Sequence, residues 1–154
     1  MNDIASPTIA EQTSIGSLLG RVKMAISAAV DDALQRDAEL APLEVTAAQF
    51  SILAQLHQGE TACAGDLCKN MTYDRGAMSR MLDRLENKGL IRRVRRAGER
   101  RTISLEVTEL GLELLPKMRA CVDAVVQGFL RDIAPDDIAR AESVLLKMLH
   151  NAKS

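Results

Sequence analysis

The chain has 154 residues and a net charge of −1, which suits one globular unit long enough to bury an apolar core. Only Phe50, Tyr73 and Phe129 are aromatic, 2% of the chain, so the core is aliphatic and the stacking platforms that hold single-stranded nucleic acid are missing. No apolar run is long enough to span a membrane, and residues 1–13 lack the basic and apolar regions of a signal peptide; they read as a polar tail, and a cytoplasmic protein without a membrane partner is expected.

After the tail, Ile15, Leu18, Leu19, Val22, Ile26, Ala29, Val30, Ala33 and Leu34 recur at helical spacing, which predicts a long helix over about 14–38. Ala41-Pro42-Leu43 breaks it. Thr46 and Gln49 have the spacing of a capping box, so a second helix starts at Thr46; it carries Phe50, Leu53 and Leu56 on one face and ends at Gly59. A short helix from about Cys63 to Asn70, with Leu67 and Cys68 facing in, is followed by a longer one that Thr72 is expected to cap and that runs to Lys88. Met78, Met81, Leu82 and Leu85 form its apolar side, and Gly89 stands where a helix end takes a left-handed residue. A short helix, a tight turn and a longer basic helix make a helix-turn-helix.

Beyond Gly89 the period changes. Leu90–Val94 and Thr102–Val107 favour strands, with Ile103, Leu105 and Val107 alternating, and the seven residues between them form a basic tip. Thr108 then caps a long helix whose stripe is Leu112, Leu115, Met118, Val122, Val125, Val126, Phe129 and Ile133, with Pro116 expected to bend it or end its first segment. Pro135 opens the last helix, whose apolar side is Ile138, Val144, Leu145, Met148 and Leu149. The fold expected is mainly α with a small β-hairpin wing. Its parts are a tail over 1–13, the first helix of a dimerisation region over 14–40, a winged helix-turn-helix over 44–108 and the C-terminal dimerisation helices over 109–154. The helices nearest the chain ends are so apolar that they would expose large patches alone; a second copy of the chain covers them, or they fold back as an intramolecular bundle.

The charge is concentrated in one place. Residues 75–101 hold ten basic residues against three acidic ones, a net of +7, and the remainder carries −8. A segment of nearly uniform sign is the electrostatic footprint of a phosphate-binding surface, whereas a merely solvated face mixes signs. Arg84, Lys88, Arg92 and Arg93 either join that surface or pair with Asp83 and Glu86.

Enzymatic chemistry finds no foothold. There is no Gly-rich phosphate loop, no nucleophile elbow and no metal-binding histidine pair, so no catalytic residue, cofactor or metal is expected. The three cysteines, Cys63, Cys68 and Cys121, are an odd number and argue against a disulfide framework. A site built from Cys63, Cys68 and His57 has a weak spacing for a metal, and structural roles fit these thiols better; Cys63 at a helix N-terminus is the position where a redox response would arise.

The stretch from Asp66 to Gly111 resembles the MarR/SlyA family of bacterial regulators, and the likeness extends over about 15–150. Met78-Ser-Arg-Met-Leu-Asp-Arg-Leu-Glu-Asn-Lys-Gly-Leu-Ile-Arg-Arg93 is similar to the family's recognition helix and first wing strand. Glu99-Arg-Arg101 and Val107-Thr-Glu-Leu-Gly111 are similar to its wing tip and the start of its long dimerisation helix. Glu99 stands where the family usually has Asp, so the support of the wing arginine differs in detail. The resemblance implies a homodimer that holds double-stranded DNA as a pseudo-palindrome with half-sites about 10 bp apart.

On that reading Arg75, Gly76, Ala77, Ser79 and Arg80 occupy the part of the helix that enters the major groove, and Arg80 matches the position that reaches base edges. Gly76 and Ala77 equally suit plain tight packing. Arg101 matches the wing arginine of the minor groove; Thr72, Tyr73, Arg84, Arg95, Arg96 and Arg100 are candidate phosphate contacts. The family typically releases DNA when a small aromatic acid binds between the dimer helices and the winged lobe. Arg21 aligns with a basic position lining that region, and His57 is placed to face it. The expected function is therefore a ligand-responsive transcriptional repressor. The alternatives are a thiol-redox-responsive regulator, or a winged-helix module that docks an acidic protein.

Overall fold

The computed structural model describes residues 14–59, 63–95, 97–98 and 103–152. Ser14 accepts a hydrogen bond from the Ser17 amide and opens helix α1, Ile15–Arg36. Asp37 ends it, turning its carboxylate onto the amides of Glu39 and Leu40 at 2.9 and 3.2 Å. A 3-10 turn, Ala41–Leu43, follows, and Glu44 leaves it in the left-handed region at φ +48°. Helix α2, Ala47–Gln58, carries the capping box foreseen at Thr46 and Gln49 and stops at Gly59.

Helices α3, Ala64–Met71, and α4, Arg75–Asn87, form the helix-turn-helix. Thr72 does not cap α4. It closes α3 from the left-handed region at φ +56°, and Asp74 is the N-cap, accepting the Ala77 amide at 2.8 Å. A carboxylate at this position satisfies an orphan amide and also faces the positive end of the helix dipole, which a hydroxyl does less well. At the far end, Gly89 at φ +72° donates to the Glu86 carbonyl and Leu90 to the Leu85 carbonyl. That is the paired pattern of a Schellman motif, whose left-handed position only glycine occupies without strain.

Strands β1, Ile91–Arg95, and β2, Ile103–Val107, pair antiparallel, from Ile91 opposite Val107 to Arg95 opposite Ile103. On β2 the alternation foreseen puts Ile103 and Leu105 on one face, where both line the same cavity, Leu105 buried and Ile103 more exposed; Ser104 is buried on the opposite face. Thr108 caps α5, Glu109–Phe129, and α6, Pro135–Asn151, begins on Pro135 as expected. Pro116 lies inside α5 without ending it. Pro116 and Leu112 are both exposed, so the Leu112 carbonyl that loses its helical donor is left on the solvent side of the helix. The buried stripe accordingly runs through Gly111, Leu114, Leu115 and Met118, and Leu112 is not part of it.

One aliphatic core joins these elements: Leu34, Leu40, Val45, Ile52, Leu53, Leu67, Met78, Leu82, Leu85, Leu90, Ile91 and Met118 are almost fully buried. The distribution along the long helices is uneven. In α1 only Val30 and Leu34 are buried, both towards its end, whereas Ile15, Leu18 and Val22 are exposed. In α5 the buried residues all lie in the first half, and Phe129 near its end is exposed. Helix α6 buries no residue, and Val144, Leu145, Leu146, Met148 and Leu149 all stand in solvent in the single chain.

The tightest packing is at the base of the hairpin. A Cβ placed on Gly111 would sit 2.5 Å from the Leu90 carbonyl oxygen and 2.6 Å from Val107 Cγ1. Leu90 is backbone and cannot swing aside, so Gly111→Ala is expected to lower stability by roughly 1–3 kcal/mol, read as a shift in the urea midpoint at unchanged slope.

Candidate nucleic-acid interface

Helix α4 is held from behind by Met78, Leu82 and Leu85, spaced so that all three fall on one face and all fully buried. The opposite face carries Arg75, Gly76, Ser79, Arg80, Asp83 and Arg84, all exposed, with Ala77 at the half-buried margin. Arg75, Arg80 and Arg84 have no ion-pair partner among the described residues. A Cβ on Gly76 would lie 3.2 Å from Asp74 Oδ1 and 3.5 Å from Arg80 Nη1, so the Arg80 guanidinium rests against the first turn where glycine leaves space. Thr72 and Tyr73 are exposed at the entrance to the helix, and Arg95 is exposed at the end of β1. Arg96, Arg100 and Arg101 lie outside the described residues, as does Glu99.

The four cations whose role the sequence left open divide clearly. Arg93 turns inward and bridges β1 to α4, donating from Nη2 to Asp83 Oδ1 at 2.7 Å and from Nη1 to Glu86. The hydrogen bond to Asp83, with the charges of both acids, holds its guanidinium above the usual arginine range. Arg92 grips Glu106, the residue opposite it in the sheet, from Nε and Nη2 at 3.0 and 2.8 Å. Lys88 is bonded to the Glu44 carbonyl and to Gln49. Of the four, Arg84 alone has no ion pair or hydrogen bond among the described residues, and of the pairings foreseen with Asp83 and Glu86 the structure makes those of Arg93.

Sequence reasoning missed what the hairpin brings together. A cavity of about 320 Å³ opens between α3, α4 and the sheet, lined by Ala64, Gly65, Cys68, Arg75, Ser79, Leu82, Arg93, Ile103 and Leu105. Arg75 and Arg93 are eighteen positions apart, and nothing in their spacing signals that β1 folds back beside the first turn of α4. The two residues expected to meet a ligand, Arg21 and His57, are both exposed, and neither lines this cavity or the groove between α1 and α5 around Ala29, Ala33 and Val125.

The thiols are free. Cys63 donates from Sγ to Asp66 Oδ2 at 3.1 Å, Cys68 is half-buried, and burial pushes the Cys121 thiol above the ordinary range, with the Asp37 charge adding to it. No group of His, Cys, Asp and Glu suited to a metal occurs among the described residues. Among them, too, no helix is long and apolar enough to cross a membrane.

A helix-turn-helix followed by a two-stranded wing, with a basic helix face left unpaired, defines a winged-helix DNA-binding protein. The MarR family model matches residues 45–103. The multiple antibiotic resistance protein MarR of Escherichia coli is 31% identical over 111 residues, 71% of this chain and 77% of that protein. A MarR variant from Escherichia coli, solved in complex with operator DNA, shares the fold with a TM-score of 0.78 at 27% identity, over 94% of this chain and 99% of that one. A structure of the multiple antibiotic resistance repressor MarR gives a TM-score of 0.69 at 27% identity, over 92% and 99% of the two chains. The chain belongs to the MarR family and is a DNA-binding transcriptional regulator.

The division of the arginines predicts different costs. Arg93 is mostly shielded and joins two acids, so Arg93→Ala is expected to lower stability by about 1–2 kcal/mol; Arg92 is an exposed cross-strand partner, so Arg92→Ala costs no more than about 0.5 kcal/mol. Urea denaturation of the full chain measures both.

Proposed function

We propose that the chain is a homodimeric repressor that reads a pseudo-palindromic operator through α4 and the wing and leaves it when a small aromatic acid binds. The observation that carries the DNA reading is the unpaired set Arg75, Arg80 and Arg84 on a helix anchored by three buried side chains. Free guanidinium forks suit guanine edges and phosphates, because no internal carboxylate must first be given up. Arg80 reads a base; Gly76, Ala77 and Ser79 allow close approach; Arg75, Arg84, Thr72, Tyr73 and Arg95 hold phosphates, with Arg96 and Arg100 from the wing; Arg101 enters the minor groove.

The winged unit over 44–108 is joined to a second copy through the helices of 14–40 and 109–154. The exposed apolar side chains of α1, the end of α5 and all of α6 support this, since so large a patch is unusual on a monomer. Repression is favoured by the likeness to the multiple antibiotic resistance repressor. The sequence selected by the chain from random duplex DNA should contain two related half-sites centred about 10 bp apart. On that sequence, Arg80→Ala should cost roughly 1–3 kcal/mol and relax preference at one position per half-site, while Arg101→Ala should weaken preference for flanking A·T steps. A binding constant independent of salt, in place of a log–log slope of about −0.9 per neutralised phosphate, would instead mark a module that docks an acidic protein.

Two places suit the effector. Arg21 on α1 and His57 near the end of α2, both exposed, are one candidate set for the effector's carboxylate. The cavity beside α4 has a size proper to a small ligand, apolar walls, and in Arg75 a guanidinium without an ion pair among the described residues to meet a carboxylate. Titrating phenolic carboxylates into the DNA complex is expected to release DNA. Loss of the response in Arg21→Ala assigns the first place, and loss in Arg75→Ala, at matched occupancy of DNA, assigns the second.

A further inference from the structure

Lys88 is the C-cap of α4, next to a basic helix, and its type alone would make it a phosphate contact. Its side chain goes elsewhere. The ammonium donates at 2.8 Å to the carbonyl of Glu44 and at 2.8 Å to Oε1 of Gln49, forty-four and thirty-nine positions back in the chain. Gln49 is 3% exposed, and the same Oε1 accepts the Thr46 amide at 3.4 Å in the capping box of α2. Glu44 offers its carbonyl from a left-handed backbone at the end of the 3-10 turn. The acceptors are therefore fixed before Lys88 reaches them.

The segment that Lys88 grips is itself held by the two long helices. Asp31 of α1 accepts the Ala47 amide at 2.7 Å, at the first turn of α2. Lys117 of α5 pairs with Glu39 at 2.6 Å. Residues 37–47 thus form a connector bonded to α1, α5 and, through Lys88, to the end of α4. Burial lowers the Lys88 ammonium from the usual lysine range and Arg84 lowers it further, opposed by Glu44, as for a cation withdrawn from solvent into a polar socket. A compact ammonium with several donors suits two converging oxygens, and a planar fork does not.

We infer that Lys88 is a positioning residue of the DNA interface: by bonding Glu44 and Gln49 it fixes the angle of the recognition helix relative to the connector from the first helix, and it does not bind DNA phosphate. The inference rests on α4 being the reading helix. A helix end released from its tether still offers the same positive charge to a backbone but presents Arg80 at a wider range of angles, so specific binding suffers and non-specific binding does not.

The test uses the full chain, the duplex it selects from random DNA, and a duplex of unrelated sequence. Lys88→Met is expected to lower affinity for the selected duplex about tenfold, as for loss of hydrogen bonds to a charged group, with the unrelated duplex and the salt slope unchanged. Gln49→Met leaves every charge on α4 in place and is expected to lower the specific-to-non-specific ratio in the same direction. Circular dichroism at the binding temperature selects the variant that is folded, and either one suffices. A slope reduced by about 0.9 together with equal loss on both duplexes would identify a phosphate contact and overturn the inference. An unchanged ratio in folded variants would overturn it as well. Arg80→Ala run alongside separates the two failures: if it weakens specific binding and neither tether variant does, only the role of Lys88 falls; if it too has no effect, the reading of α4 falls with it.

Discussion

Helix α4 and the hairpin are levelled from one crowded joint. The Leu90 carbonyl accepts the Thr108 amide at 3.0 Å, and Gly111 presses against it from the first turn of α5. Thr108 Oγ1 donates to the Gly89 carbonyl at 2.5 Å and accepts the Gly111 amide at 3.1 Å. Four elements end or begin within this one space: α4 through Gly89, β1 through Leu90, β2 through Val107 and α5 through Thr108. Because the closest of these contacts is to the Leu90 backbone, the joint cannot relax by side-chain rotation alone, and this fixes the direction of the hairpin relative to α4.

Upon that base the charges are sorted by reach. Arginines on β1 that stand near acids are spent on internal geometry, Arg93 across to α4 and Arg92 across the sheet. Those on the outer face of α4 make no ion pair among the described residues, and Asp83 and Glu86 are occupied by Arg93. Thus two carboxylates within a basic segment do more than dilute its charge. They bind Arg93, and Arg75, Arg80 and Arg84 keep their guanidinium groups out of ion pairs among the described residues.

The elements were largely readable, for a physical reason: each has a local signal strong enough to survive its surroundings. The capping box at Thr46, the left-handed glycines Gly59 and Gly89, Thr108 ahead of α5 and Pro135 at the start of α6 all act within one turn of helix. The errors arise where two local signals compete or where the partner is distant. Thr72 and Asp74 are both good caps two residues apart, and the choice falls to the one with a charge. Pro116, expected to bend α5 or to end its first segment, does not end it, and it falls on the solvent side of a helix whose other face is buried. The site divides in the same way. The basic face of α4 follows from periodicity, whereas the bonds of Lys88 to Glu44 and Gln49 and the placing of Arg75 and Arg93 around one cavity depend on contacts across the fold, for which a single sequence holds no spacing rule.

The half-and-half burial of the long helices has a mechanical meaning. Helix α1, at 22 residues, is about 33 Å long. One end is clamped in the core and the other is bare, so the helix is a rigid lever with its fulcrum inside the lobe. Turning it by one degree at the fulcrum displaces the bare end by roughly 0.6 Å over such a length. Read in the opposite direction, a small change in how the bare ends are gripped reaches the lobe as a torque, applied at Asp31 and the connector rather than at any residue that touches DNA. A lobe built this way can be turned as one body from the bare end of α1, with no moving part inside residues 44–108.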